Sequence, residues 1–258
     1  MQIAENEPIV SFTLARYPKR ASLGALSHLG LDRLPLALTP GLRFWRLLGV
    51  GKGRVFDPHA DLQRYALFTV WDSYTALKQF EEHSGVMSRI QYRADEAWTV
   101  HMRPVKWHGK WGGRDPLAGM TPVEPPEPGP WVVLTRATLY PTKIRPFLNA
   151  VPAVAESLLQ QPNLIKSVGV GEAPLLYQAT ISLWRTLPSF TSFAYGASPH
   201  IDVIRRTRRE QWYREELFAR FRPLASQGTW DGINPLVDYY TSPHKPANHS
   251  NQPESENL

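Results

Sequence analysis

Apolar and polar positions alternate along this chain in short runs, and the runs come in two similar sets. Ile9 to Ala15 and Trp131 to Leu139 are β-rich and are followed by Tyr17-Pro18 and Tyr140-Pro141, where proline stops a strand. Helical spacing follows each, over roughly Ser22 to Leu29 and Thr142 to Leu159. A strand then leads into Gly49-Val50-Gly51 and Gly169-Val170-Gly171, and a further strand covers Tyr65 to Trp71 and Leu176 to Trp184. Ser73, Pro188 and Ser189 stand where helix N-termini favour serine and proline, so helices are predicted over Tyr74 to Arg93 and Ser189 to Arg209. A final strand covers Trp98 to Val105 and Leu217 to Leu224. The order is β-α-β-β-α-β twice, which is the ferredoxin-like unit in duplicate.

The two sets also share residues. Trp98 to Val105 matches Leu217 to Leu224, and the same spacing pairs Gly109 with Gly228, Trp111 with Trp230 and Gly113 with Gly232. Val70-Trp71-Asp72-Ser73 answers Leu183-Trp184-Arg185-Thr186. Matches in the same order along both halves are the signature of an internal repeat. One four-stranded sheet with its helices on one face leaves the other face bare, and two copies can cover each other. The expected fold is therefore α+β: two tandem ferredoxin-like repeats, over 8–119 and 131–240, forming a fused barrel with a pocket between sheet and helices. Pro122, Pro125, Pro126, Pro128 and Pro130 make 120–130 a stiff linker, and the polar run 241–258 reads as a disordered tail.

The chain has 258 residues and no cysteine, which excludes disulfides, iron–sulfur clusters, a thiolate haem ligand and a cysteine nucleophile. No apolar run is long enough for a membrane helix, and the N-terminus lacks the layout of a signal peptide, so the cytoplasm is the default compartment. The net charge of +6 includes a dense stretch, Arg205-Arg206-Thr207-Arg208-Arg209. It is either a solvated helix face or a contact for acidic ligands or anionic lipid at the membrane periphery. No nucleic-acid motif accompanies it, so no nucleic-acid partner is expected.

No P-loop, zinc-protease, nucleophile-elbow or dinucleotide motif is present, and Gly49 to Gly53 reads as a tight turn. His244 and His249 lie in the tail, His28 and His59 near loops, His108 in a loop between tryptophans, and His101 on a strand at an outward polar position matched by Arg220. Asp95-Glu96 and Glu215-Glu216 occupy matching positions, which points to a shared structural role. His83 and His200 each open a His-x-x-Val-(Met/Ile)-x-Arg segment. Each is either a polar helix-terminal residue or an imidazole offered to an apolar pocket, the form of an axial haem ligand. Nine tryptophans, ten tyrosines and ten phenylalanines supply a core, and equally the lining an apolar substrate or a porphyrin requires.

Several segments carry a family resemblance. Leu134-Thr135-Arg136-Ala137-Thr138, Lys166 to Glu172, Gln178 to Trp184, Pro199-His200 through Arg206, and Trp212 to Phe221 with Gly228-Thr229-Trp230 resemble spheroidene monooxygenases; Phe44-Trp45 and Trp98-Thr99-Val100 are similar too. The resemblance implies a haem b enzyme of the dimeric α/β-barrel superfamily that uses molecular oxygen and electrons from a ferredoxin-like donor. The family's reaction is introduction of a keto group into an acyclic carotenoid, by two hydroxylations at one carbon and loss of water. Carried over by residue, it implies His200 as the iron ligand and, with it, Arg136 and Gln178 as the catalytic set. Arg136 and Gln178 would face a haem propionate or bound oxygen, while Lys166, Trp184, Phe193, Ile204 and Trp212 would complete the cofactor contacts. The same scaffold accommodates a haem dehydratase, a cofactor-free oxygenase or isomerase, and a ligand-binding module without turnover.

Overall fold

The structure of the protein, a computed structural model, describes residues 4–53, 59–124, 129–172, 177–188, 190–191, 205–207 and 209–241. Eight strands, β1 (Ile9–Arg16), β2 (Leu42–Gly51), β3 (Ala60–Trp71), β4 (Glu96–Gly109), β5 (Trp131–Leu139), β6 (Leu164–Gly171), β7 (Tyr177–Trp184) and β8 (Tyr213–Gly228), close into one barrel. Their order is β1-β3-β2-β6-β7-β5-β8-β4, with every pairing antiparallel. Each half supplies one ferredoxin-like sheet, and the two are fused into a dimeric-type α/β barrel, as the repeat implies.

The two seams between the halves differ. β4 and β8 pair from Trp98 opposite Gly228 to Gly109 opposite Leu217, whereas β2 and β6 meet only at Gly49–Gly171 and Val50–Val170. That long pairing explains why β4 and β8 run beyond the spans expected from alternation alone. It also places His108 in β4 rather than in a loop, with its ring 5.6 Å from that of Phe218.

Alternation settles which side chains fill the barrel. Val10, Phe12, Leu14, Val132, Leu134, Ala179, Ile181 and Leu183 point inward and are buried with Phe68, Trp98, Phe221 and Trp230. Burial of each large side chain contributes about 1.5–3 kcal/mol, so the interior is a packed core. Its two ends are closed by matching turns. Trp111 and Trp230 enter the core from turns bridged at Trp111–Arg114 and Trp230–Ile233. Gly109 (φ 104°) and Gly228 (φ 76°) precede them, where a Cβ would lie 2.1 Å from the Glu216 carbonyl oxygen and 2.0 Å from that of Ala97. Only glycine fits either place. Glu215 accepts from the N–H groups of Gly112 (2.8 Å) and Gly113 (2.6 Å), and Glu96 accepts from that of Gly232 (2.6 Å). The matched glutamates thus share a structural role.

The helices lie outside the barrel. α1 (Ser22–Leu31) and α2 (Arg33–Ala37) follow β1, α3 (Tyr74–His83) and α4 (Gly85–Arg93) follow β3, and α5 (Ile144–Leu159) follows β5. The single helix expected over Tyr74 to Arg93 is broken, because Ser84 is extended (φ −77°, ψ 141°) and caps α4 by accepting from the Met87 N–H at 3.1 Å. Ser73 caps α3 in the same way through the Ala76 N–H. His101 faces out of the barrel, but it is covered: it is 4% exposed, and its Nε2 lies 2.6 Å from Glu81 Oε1.

Candidate functional site

The two outer sheet faces have the same backbone and different surfaces. Strand register lines up four residues across each sheet at the same level. In the first half the middle row is Leu47, Leu67, Thr13 and Thr99; in the second it is Gly169, Thr180, Thr135 and Phe218. One row along, Tyr65 beside Ala15 is replaced by Gln178 beside Ala137. The rows are anchored identically: the Trp71 indole donates to Thr69 Oγ1 at 2.7 Å, and the Trp184 indole donates to Ser182 Oγ at 2.9 Å.

The first face is covered by helices, with a cavity of about 260 Å³ left between α1, α4 and the end of the sheet at Tyr17. Leu67, Tyr65, Thr13 and Thr99 are buried, Ala25 of α1 and Val86 of α4 are buried with them, and Thr13 and Thr99 share a hydrogen bond of 2.9 Å. The second face is less covered by the described residues. Thr135 is exposed at the centre of the sheet, on a strand flanked by two others, and Gln178 and Thr180 are half-buried. Two leucines and a tyrosine have been exchanged for glycine, threonine and glutamine, so bulk is removed and polar groups are left on the floor. The side chains of Thr135, Gln178 and Thr180 have no hydrogen-bond partner among the described residues.

Aromatic side chains wall one end of this face. Trp131 and Trp184 are buried against Val133, Leu158 and Phe190, and Phe190 stacks on Phe218 with ring centroids 5.9 Å apart. The Arg220 guanidinium carbon lies 5.4 Å from the centre of the Phe190 ring and 5.3 Å from that of Phe218, and its Nε is buried without a hydrogen bond. At the other end Trp212 is fully buried and donates from Nε1 to Glu210 at 2.8 Å. Next to it burial, with the Glu216 charge adding to it, raises the Tyr213 hydroxyl to about 12.

The structure therefore brings Gln178 and Trp184 onto one face, with Trp212 at its edge. Arg136 and Lys166 are on the opposite side of the sheet, at the barrel ends. Arg136 is 3% exposed, bonded to Glu215 and to the Lys110 carbonyl (3.3 Å), with the Trp111 ring 5.6 Å away. Lys166 pairs with Asp231 at 3.0 Å beside the Trp230 ring. His200, Phe193 and Ile204 lie outside the described residues. His83 is exposed at the end of α3, its Nδ1 3.3 Å from the Gln79 carbonyl. In the basic stretch Arg206 pairs with Glu210 at 2.8 Å. Among the described residues no three histidines or carboxylates gather as a metal site, and no helix is long and apolar enough to cross a membrane.

Residue-by-residue reading of the sequence did not single out Thr135, Thr180 or Arg220 for this face. The signal was present only in the comparison of the halves, as small and polar residues standing where the first repeat carries leucine.

A duplicated closed barrel whose two outer sheet faces carry different side chains is a fused dimeric-type α/β barrel with unlike halves. No protein-family model matches the chain. Its sequence is 35% identical to a spheroidene monooxygenase of Rhodobacter capsulatus over 231 residues, 89% of this chain and 96% of that protein. The enzymes of the same name from Cereibacter sphaeroides (33% identity; 90% of this chain, 70% of that protein) and Rubrivivax gelatinosus (33%; 75% and 73%) are similar as well. Among solved structures an aldoxime dehydratase superposes with a TM-score of 0.52 over 86% of this chain and 83% of that one, at 13% identity, a likeness of fold. The chain belongs to the spheroidene monooxygenase family. It is an oxidoreductase, a monooxygenase acting on a small molecule with oxygen.

Proposed function

We propose that this monooxygenase depends on haem b, held on the outer face of the second sheet, and that it oxidises an apolar substrate of the carotenoid type named in its relatives. The observation that carries the reading is the exchange of Leu47, Leu67 and Tyr65 for Gly169, Thr180 and Gln178, with Thr135 exposed where its counterpart Thr13 is buried. A flat apolar group with a polar rim fits a floor of small side chains between tryptophan and phenylalanine walls.

His200 is proposed as the iron ligand; it lies in sequence between Thr191 and Arg205. Haem iron ligated by a neutral imidazole would supply the activation of oxygen. The chain's own groups have distinct parts. The Gln178 amide and the hydroxyls of Thr135 and Thr180 offer unspent donors on the floor. Trp131, Trp184 and Phe218 exclude water. Arg220 is the nearest described cation to the aromatic wall, and its unpaired Nε suits a propionate carboxylate. Arg136 and Lys166 are proposed to act through the sheet, by closing the barrel ends that hold β5 and β6 in register. Each hydroxylation consumes one O2, two electrons and two protons and returns one water, so a ferredoxin-like donor is part of the proposal. A second hydroxylation at the same carbon yields a gem-diol, which loses water to the ketone.

The test is colour. Protein from haem-supplemented expression should show a Soret band that His200→Ala removes or shifts, and oxygen-dependent product should appear when an electron donor is supplied. A colourless protein that ignores added haemin overturns the cofactor, and a red protein without oxygen-dependent turnover overturns the reaction.

A further inference from the structure

Among the described residues the densest exposed apolar surface is the α1–α2 pair. Leu23, Leu31, Leu34 and Leu38 are 76%, 65%, 68% and 72% exposed, and Leu26 is 41% exposed. Single leucines on a surface are ordinary, but four on two consecutive short helices, with Leu38 directly after them, form a patch of the kind that meets another apolar phase. α1 itself does need to pack, since Ala25 on its other side is buried against Tyr17 and Tyr65. The leucines are therefore left over after the helix has satisfied its own fold.

Charge on this element selects the partner. Lys19, Arg20 and Arg33 flank the leucines, and none of them has a carboxylate partner among the described residues. Between Pro8 and Gly53 the sole carboxylate is Asp32. It is 5% exposed, bonded to Arg89 and 3.2 Å from His28 Nδ1. All exposed charge here is thus positive. Behind α1, Arg20, Arg89 and Arg93 line a cavity of about 260 Å³ with Asp32 the one carboxylate among them, so cations are in excess there too. Leucines with a basic fringe on helices too short to span a bilayer describe an element that lies in the lipid interface.

We propose that α1 and α2 dock the protein on an anionic bilayer surface, the leucines entering the boundary between head groups and acyl chains and Lys19, Arg20 and Arg33 meeting the phosphates. This differs from contact through the Arg205 to Arg209 stretch, and it stands on the leucines and charges without the cofactor reading. An enzyme seated this way could draw an apolar substrate from lipid rather than from water.

Vesicle co-sedimentation tests it, using phosphatidylcholine alone and phosphatidylcholine with about one part in three phosphatidylglycerol. The full chain should bind the anionic vesicles and release as salt rises, and the exposed-site double variant Leu23→Glu/Leu34→Glu should bind at least tenfold less. Because the chain has no cysteine, Leu31→Cys can be labelled at one site with an environment-sensitive dye. Its emission should shift to the blue on vesicles, while the same dye at Ile233→Cys, 58% exposed on the turn after β8, should not shift. Full-chain protein that stays in the supernatant, a double variant that binds equally, or a shift only at residue 233 overturns the proposal. So does sedimentation velocity showing that the double variant abolishes self-association while vesicle binding persists, because a second copy then covers the face. No haem is needed in either assay, so failure here leaves the cofactor reading untouched.

Discussion

Thr180 and Leu67 occupy the same row of two equivalent sheets, and leucine is buried there in the first whereas threonine is half-buried in the second. Replacing Thr180 by leucine restores one of the three large side chains that the first face carries. The expected outcome is at least a tenfold fall in haemin uptake, read from the Soret absorbance, with a melting temperature unchanged or raised; a variant that keeps full colour places the cofactor elsewhere. Glu215 shows the opposite use of a polar residue. Burial raises its carboxyl, but the N–H groups of Gly113 and Gly112 and the Arg136 guanidinium outweigh burial and hold it below the ordinary carboxylate range. Asp231, with Lys166 and Arg64, and Glu96, with the Gly232 N–H, are lowered in the same way against burial. A carboxyl lowered in the folded state stabilises fully above its unfolded value of about 4.3, and that contribution is lost as pH falls through the folded value. Thermal melts followed by circular dichroism should therefore drop steeply below about pH 4. Glu215→Gln should melt lower at neutral pH and show a shallower acid dependence.

At the scale of elements, the strands were legible as short β-rich runs bounded by turn residues; Trp131–Leu139 is one such run, buried at every position but Thr135 and ended at Tyr140-Pro141. The break between α3 and α4 was not, since apolar spacing continues through it and only the Ser84 cap with Gly85 behind it interrupts the helix. Ser84→Ala removes an N-cap and should cost about 1 kcal/mol in chemical denaturation, with the fold retained. The Trp-Gly turns after β4 and β8 are elements of closure. Trp111 lies 5.4 Å from Phe68 and 5.7 Å from Phe44 by ring centroid and fills the barrel end, so Trp111→Ala should lower the unfolding free energy by about 3–5 kcal/mol.

For the molecule as a whole, the two seams set unequal strengths. β4 and β8 form a long ladder, whereas β2 and β6 share two residue pairs. Amide hydrogen exchange should accordingly be fastest, among the barrel strands, near Val50 and Val170 and slowest along Val100 to Met102 and Ala219 to Phe221; equal protection at both seams would contradict this account. The asymmetry of the faces belongs to the same scale. One repeat keeps its helices packed down on Leu67 and Tyr65, and the other exposes Thr135, so the two halves of a duplicated chain present unlike outer faces.

The repeat, the β-α-β-β-α-β order of elements along the chain and the residues shared by the two halves could all be read from the sequence, because each rests on local pattern or on matched positions along the chain. The family resemblance likewise required only the order of residues. Which side of the sheet Arg136, Lys166 and Gln178 face was decided by the tertiary structure alone. Side chains one position apart on a strand point to opposite faces, and only closure of the barrel determines which face becomes core. The burial of His101 beside Glu81 has the same origin, since a strand residue pointing out of a barrel meets water or a helix according to what the rest of the chain lays over it.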